Sequence, residues 1–277
     1  MVRSKSHIAE IILPFLSDLG NCAARTAAAT GDIILPRYCA VCGRTLLLHE
    51  KFICIYCLAD FPFTYNWNMP HNRMADRFNE MIQRDIITSK RQNSDLLIQA
   101  ESYAYAASLF FYRGESAYRK IPHRLKYHCD IGIGRHFGKM LGKRLAGAGQ
   151  FSDVDMVIPV PLHWRRRWER GYNQAAVIAS ETAAALGAAL REDILMRHRK
   201  TRTQTKLDVR DKIENVRQAF RIKKKFLANP PAAGHILLVD DVFTTGATIH
   251  ACFLALRAVY TENTRISAAT LAFVDNG

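Results

Sequence analysis

The sequence predicts an α/β fold, a mostly parallel sheet flanked by helices, and three observations carry that expectation. From about residue 101 onward, apolar strand-like runs alternate with helix-like runs, the order that builds a parallel sheet. One of these runs, "HILLVDDV", is apolar without polar alternation up to its carboxylates, as a strand covered on both faces must be. The helix-like runs are as long as the crossovers such a sheet requires.

Strands are expected near 103–111 ("YAYAASLFF"), 154–160 ("VDMVIPV"), 235–240 and 266–274. Helices fit 133–147, 173–189 and 247–260, the last with Thr244 and Thr245 before it as capping hydroxyls. Ahead of this domain, placed at 101–277, lie three stretches of different character. Residues 1–36 read as an N-terminal helical segment, amphipathic at its start and interrupted by Glu10, Pro14 and Asp18, unlike a signal peptide. Residues 37–62 hold four cysteines, and 63–100 form a polar connecting region with a helix near 74–87.

Composition narrows the function classes. Lys and Arg exceed Asp and Glu by 39 − 25 = 14, which favours an anionic partner, phosphate-rich small molecules or nucleic acid. No run approaches the ~18–20 apolar residues of a membrane span. The seven cysteines are odd in number and clustered, so a disulfide framework is not expected and a reducing cytoplasm is.

"CAVC" and "CIYC" place Cys39, Cys42, Cys54 and Cys57 as two pairs separated by 11 residues. Two residues inside each pair let both thiolates point at one tetrahedral ion, and Gly43 supplies the left-handed turn of such a knuckle. Four cysteines leave no open position for water, so the expected Zn²⁺ is structural. A redox CxxC is the weaker alternative, because it does not need two pairs. Cys22, Cys129 and Cys252 are expected to be small apolar residues.

The strand 235–240 ends on Asp240 and Asp241, followed by "TTGAT" and a helix. Ligands of open α/β sheets bind at the carboxyl ends of strands. A turn of successive amides at a helix N-terminus accepts a phosphate, with Thr244, Thr245, Gly246, Ala247 and Thr248 around it. The carboxylates would repel phosphate, so they are expected on hydroxyl groups, and a sugar phosphate offers both. A receiver-type aspartate pair gives no reason for the threonine–glycine turn. A Walker B strand requires a Walker A, and "GIGRHFGKM" has the wrong spacing and a methionine in place of the hydroxyl.

"VIPVPLHWRRRWERGYNQA" (157–175) supplies a rigid turn at Val160–Pro161, then Arg165, Arg166, Arg167 and Arg170. These suit pyrophosphate or nucleic-acid phosphates, and the interleaved Trp164 and Trp168 suit stacking on bases as well as covering a core edge. "RHRKTRTQTKLDVRDKIENVRQAF" (197–220), with Arg199, Lys200 and Arg202, reads as a charged flap over an anionic ligand or as an exposed linker.

"LLVDDVFTTGAT" resembles the phosphoribosyl pyrophosphate (PRPP) motif of type I phosphoribosyltransferases, over twelve consecutive residues. Together with the four cysteines, "YRG" (112–114), "LKYH" (125–128) and the two basic stretches, the chain is similar over about 37–275 to the ComF family, the competence-associated, GntX-like phosphoribosyltransferase-like proteins. Lys212 departs from the pattern, standing where an arginine is expected; the charge is kept but the bidentate fork is lost. The resemblance implies a type I phosphoribosyltransferase-like (Rossmann-like) domain behind a zinc ribbon. It implies Asp240 and Asp241 on the ribose hydroxyls, Thr244 to Thr248 holding the 5-phosphate with Val239 also at the PRPP site, and Mg²⁺ bound with PRPP. It further implies a link to DNA uptake, with transfer or sensing of a phosphoribosyl group and an unspecified acceptor. The alternative is a non-catalytic protein that handles single-stranded DNA on its basic surface.

Overall fold

The computed structural model describes residues 36–92, 101–127, 129–198 and 219–275. The chain divides into a unit ending at Phe61 and a unit running from Pro62 to Gly277. In the first, Tyr38 bridges Thr45 in antiparallel fashion, and a short helix α1 spans Ile55–Ala59.

The second unit is built on a five-stranded sheet of order β1-β7-β6-β2-β3, parallel throughout. Its strands are β1 (Ala106–Phe111), β2 (Met156–Pro159), β3 (Ala189–Leu190), β6 (His235–Phe243) and β7 (Arg265–Phe273). The two remaining strands, β4 (Leu195–Arg197) and β5 (Phe220–Ile222), form a separate antiparallel pair. The expected strands and helices are thus present, and the added pair brackets the basic segment read as flap or linker. Arg199, Lys200, Arg202 and Lys212 lie outside the described residues, as do residues 1–35.

The central strands β6 and β7 are buried along almost their whole length, which explains their unbroken apolar runs. The period of two still sorts their side chains: Ile236, Leu238, Ile266 and Ala268 share one core cluster with Met74, Phe78 and Phe253. The last three belong to helices α2 (Arg73–Gln92) and α7 (Ala247–Arg257). The helix expected near 74–87, within the stretch 63–100 expected as a connecting region, therefore supplies part of a covering layer of the sheet. Asn72 fastens α2: its Oδ1 accepts from the amides of Met74 and Ala75, and its Nδ2 donates to Ala106 O at 3.0 Å.

Helices α4 (Ile131–Ala146) and α6 (Gln174–Leu186) pack on each other, and α6 lies against β2 and β6. Gly138 of "GIGRHFGKM" and Gly142, one turn beyond it, explain the close approach. A Cβ at Gly138 would come 3.0 Å from Ile178 Cα, and one at Gly142 would come 2.9 Å from Thr182 Cα. What resembles a degraded phosphate loop is a helix-packing stripe.

The crossover from β2 leads outward to β3, while the crossover from β6 leads the opposite way to β7. The sheet's connections therefore reverse between β2 and β6, which is where an open α/β sheet forms its ligand crevice. Among the described residues, no helix is long and apolar enough to cross a membrane.

Candidate functional site

The crevice exists because β2 ends before β6 does. The Val160 amide still donates to Val239 O at 2.8 Å, and Pro161 then turns the chain away. Beyond that point β6 pairs with β7 alone, Asp240 opposite Thr270 and Val242 opposite Ala272. The strand expected to stop at 240 therefore continues to Phe243, because β7 carries the ladder on, and the two carboxylates sit within it beside an open edge. They border a cleft of about 450 Å³ whose wall also includes Val160, Pro161, Arg166, Arg170, Thr244 and Thr248.

The carboxylates are held differently. Asp241 is buried, and its Oδ2 lies 2.9 Å from Lys126 Nζ. Asp240 Oδ1 accepts from the amide of Asp241 at 2.8 Å. Burial first, then the Asp241 charge, pushes Asp240 up to about 7, against the pull of Lys126 and Arg197.

Lys126 comes from the last turn of helix α3 (Lys120–Tyr127). That turn is pinned by Tyr172, whose hydroxyl donates to Leu125 O, and burial holds the phenol in its neutral donor form by raising it to about 12. A second brace is the Arg124–Asp130 pair at 2.8 Å, with Asp130 also capping α4 through the Ile133 amide. Arg197, at the end of β4, lines the same cleft, with its guanidinium over the Phe220 ring at 5.1 Å. Burial, reinforced by repulsion from Arg166, lowers its affinity for a proton, a strain that a bound anion relieves.

The loop after β6 is shaped for close approach. Gly246 holds φ +82° and caps α7; a Cβ there would come 2.5 Å from both Met81 Cε and Phe243 Cζ. Thr245 Oγ1 accepts from the Ala247 amide at 3.4 Å, while the neighbouring Thr244 and Thr248 face the cleft. Two hydroxyls thus border the cleft within one turn of the carboxylates, while Val239, Thr245, Gly246 and Ala247, also expected at the site, are not on its lining.

Beyond the turn at Val160–Pro161 the basic stretch is helical: α5 spans Trp164–Arg170, capped by His163, and closes on Gly171 at φ +76°. That helix divides its arginines. Arg166 and Arg170 line the carboxylate cleft, Arg167 lines a neighbouring one, and Arg165 lies over the Trp164 ring at 5.1 Å. Asn173 locks the arrangement by donating to Val160 O at 3.0 Å and capping α6 through the Ala175 amide.

Lys126 and Arg197 join the site without having been among the expected site residues, although Lys126 lies within "LKYH" and Arg197 opens "RHRK". Cys129, expected to be buried, is exposed at φ +50°, with its thiol donating to Arg170 O at 3.6 Å. Cys252 is buried as expected.

In the first unit the Sγ atoms of Cys39, Cys42, Cys54 and Cys57 all lie within 4.8 Å of one another, and Cys42 and Cys54 are 3.7 Å apart. A tetrahedral ion with ~2.3 Å Zn–S bonds needs sulfur spacings of about 3.8 Å, so the set fits one metal ion and is consistent with structural zinc. The local backbone prepares it. Gly43, at φ +77°, returns its amide to Cys39 O at 3.0 Å, and the Cys54 amide donates to Cys39 Sγ at 3.4 Å. Burial raises Cys39, but the amides of Cys42, Cys54 and Val41 outweigh it and bring that thiol to about 7; burial pushes Cys54 and Cys57 upward. Four thiols this close cannot ionise together without a cation, and a divalent metal resolves that conflict.

The whole is an α/β protein with a cleft at the carboxyl edge of a parallel sheet, preceded by four cysteines that could hold a metal ion. No family model matches the chain. Among curated proteins it is similar to competence protein F of Haemophilus influenzae, 30% identical over 146 residues, 52% of this chain and 63% of the relative. It is also similar to the DNA utilization protein YhgH of Escherichia coli strain K12, 35% identical over 130 residues, 46% of this chain and 55% of the relative. YhgH of Salmonella typhi is 32% identical over 132 residues, 47% of this chain and 56% of the relative. These are similarities to competence and DNA-utilization proteins, and the matches span a little over half the length of each relative.

Proposed function

We propose that the cleft between β2 and β6 binds PRPP or a closely related sugar phosphate, in a phosphoribosyltransferase-like protein that serves DNA uptake or utilization. The observation that carries this is one arrangement: two carboxylates on an open strand edge, a threonine–glycine loop one turn away, and cations facing both. Thr244, Thr245, Gly246, Ala247 and Thr248 would hold the 5-phosphate, and Asp240 and Asp241 would accept from vicinal hydroxyls. Arg166, Arg170, Arg197 and Lys126 would take the pyrophosphate. The raised proton affinity of Asp240 marks a site short of positive charge, which fits Mg²⁺ held by one or two carboxylates together with phosphates. When bound, Mg²⁺ would supply charge neutralisation at the pyrophosphate. Phosphoribosyl transfer calls for positioning and charge stabilisation more than for a protein nucleophile, and that is what these residues offer. The relatives' names, competence protein F and DNA utilization protein, support the link to DNA.

Calorimetric titration with PRPP and Mg²⁺ tests the reading, with ribose 5-phosphate as a control. Wild type is expected to bind, and Asp240→Asn/Asp241→Asn to lose binding while staying folded. A folded, metal-loaded wild type that ignores PRPP would sink it. A second reading, handling of single-stranded DNA, is favoured by Trp164 and Trp168, which stand 64% and 84% exposed among the arginines of α5. It requires an affinity for oligodeoxynucleotide that falls linearly with log salt concentration.

A further inference from the structure

On the other side of the Pro161–Leu162 turn lies a second cleft, of about 350 Å³, separated from the first by that turn, Asn173 and Arg197. Its composition differs from that of the first. Trp164, Met196 and Leu195 provide apolar walls, Arg167, Arg197 and Lys223 provide positive charge, and Glu192 is an acid on its lining. Two of the apolar walls are open to solvent, Trp164 at 64% and Met196 at 39%. An indole and a thioether on the lining of one cleft suit a flat aromatic ring. The cations suit an anionic group joined to that ring, and Glu192 suits an exocyclic amine on it, the pairing a carboxylate makes with an amino-bearing base.

We infer that this second cleft is a seat for a single nucleotide, a base stacked against Trp164 with its phosphate among Arg167, Arg197 and Lys223. The ligand is a nucleoside monophosphate, either free or as the phosphorylated end of a nucleic-acid strand. The inference shares Arg197 with the phosphoribosyl reading, since that residue lines both clefts, but none of the carboxylates or threonines of the first cleft takes part.

The probe is deoxyadenosine 5′-monophosphate (dAMP), titrated calorimetrically into the metal-loaded full chain. It keeps base and phosphate but lacks the 2′-hydroxyl that a carboxylate-lined cleft would use. Wild type is expected to bind dAMP more tightly than either deoxyadenosine or 2-deoxyribose 5-phosphate. Trp164→Leu and Lys223→Ala should each weaken dAMP at least about fivefold, the low end of what a base–aromatic stack or a phosphate contact contributes. Glu169→Gln, on the same helix but on the lining of neither cleft, should stay within about twofold. Competition by a 5′-phosphorylated trinucleotide, but not by its dephosphorylated form, would identify a strand end as the source; dAMP binding without such competition would identify a free nucleotide. Absence of dAMP binding overturns the inference. So does binding abolished by Asp240→Asn/Asp241→Asn yet unaltered by Trp164→Leu, because the nucleotide would then sit in the first cleft.

Discussion

Lys126 Nζ lies 2.9 Å from Asp241 Oδ2, so the adjacent carboxylates of β6 are neutralised by different means. Asp241 has a cation from α3, whereas Asp240, half-buried beside that carboxylate, has its proton affinity pushed up to about 7. An unliganded cleft therefore keeps its acid pair quiet with one lysine and one proton. A ligand or metal that brings positive charge or hydroxyl donors takes over from the proton.

This relationship fixes a pH dependence of stability. The unfolded chain releases the Asp240 proton near pH 4, while the folded protein holds it to about 7. Between those values the folded state binds more protons, so the Asp240 contribution to stability falls as pH rises through the window and is flat above it. Asp240→Asn removes the titration. Urea unfolding should show the variant gaining on wild type from pH 4 to 7, by on the order of 2 kcal/mol at pH 8, with the two curves meeting near pH 4. Curves that run parallel across that range would show that Asp240 ionises normally.

The division of arginines on α5 gives a sharper test than deleting the cluster. Arg166 lines the carboxylate cleft, whereas Arg165 lies over Trp164. Arg166→Ala should weaken the binding of inorganic pyrophosphate about tenfold or more, the scale of a lost charge-assisted hydrogen bond, and Arg165→Ala should leave it within about twofold. Equal losses in both, measured calorimetrically, would mean that the helix acts only through its net charge.

The sequence carried much of this site because its central residues are neighbours in the chain. Asp240 to Thr248 form one strand end, one turn and one helix start, and local rules suffice to read them. Lys126 and Arg197 escaped for the opposite reason: each reaches the cleft by tertiary packing, Lys126 through a helix pinned by Tyr172 and Arg197 through a three-residue strand too short to show a period. The position of the strand end was misjudged because carboxylates read as a stop, whereas pairing with β7 carries β6 on to Phe243. The glycines of α4 were legible as glycines but not as packing sites, since only the neighbouring α6 shows what a side chain would strike.

That packing sets a stability prediction. A Cβ at Gly142 would lie 2.7 Å from Ala185 Cβ and 2.9 Å from Thr182 Cα, and backbone cannot yield as a flexible side chain does. Gly142→Val should destabilise the second unit by about 2 kcal/mol, the overpacking penalty exceeding any gain in helix propensity. A thermal unfolding midpoint equal to or above that of wild type would show that α4 and α6 can separate at little cost.

The metal knuckle yields the last prediction. The first unit has little apolar core among its described residues beyond Val41, Leu46, Ile53 and Phe61, and a domain this small rarely folds on such a core without a metal or disulfides. The four thiols conflict without a cation, since Cys54 and Cys57 resist ionisation while Cys39 favours it. One zinc per chain is expected by elemental analysis. Stripping it with a chelator should open residues 36–61 to proteolysis and hydrogen exchange, because the metal's binding energy is that unit's folding energy. The second unit has its own core, built on Phe78, Phe253, Ile236 and Leu238, and should keep its helical circular dichroism and its cooperative transition. Cys57→Ser should reproduce the effect of the chelator. Loss of the entire cooperative transition on chelation would mean that the two units fold as one and that the boundary at Phe61 has no thermodynamic meaning.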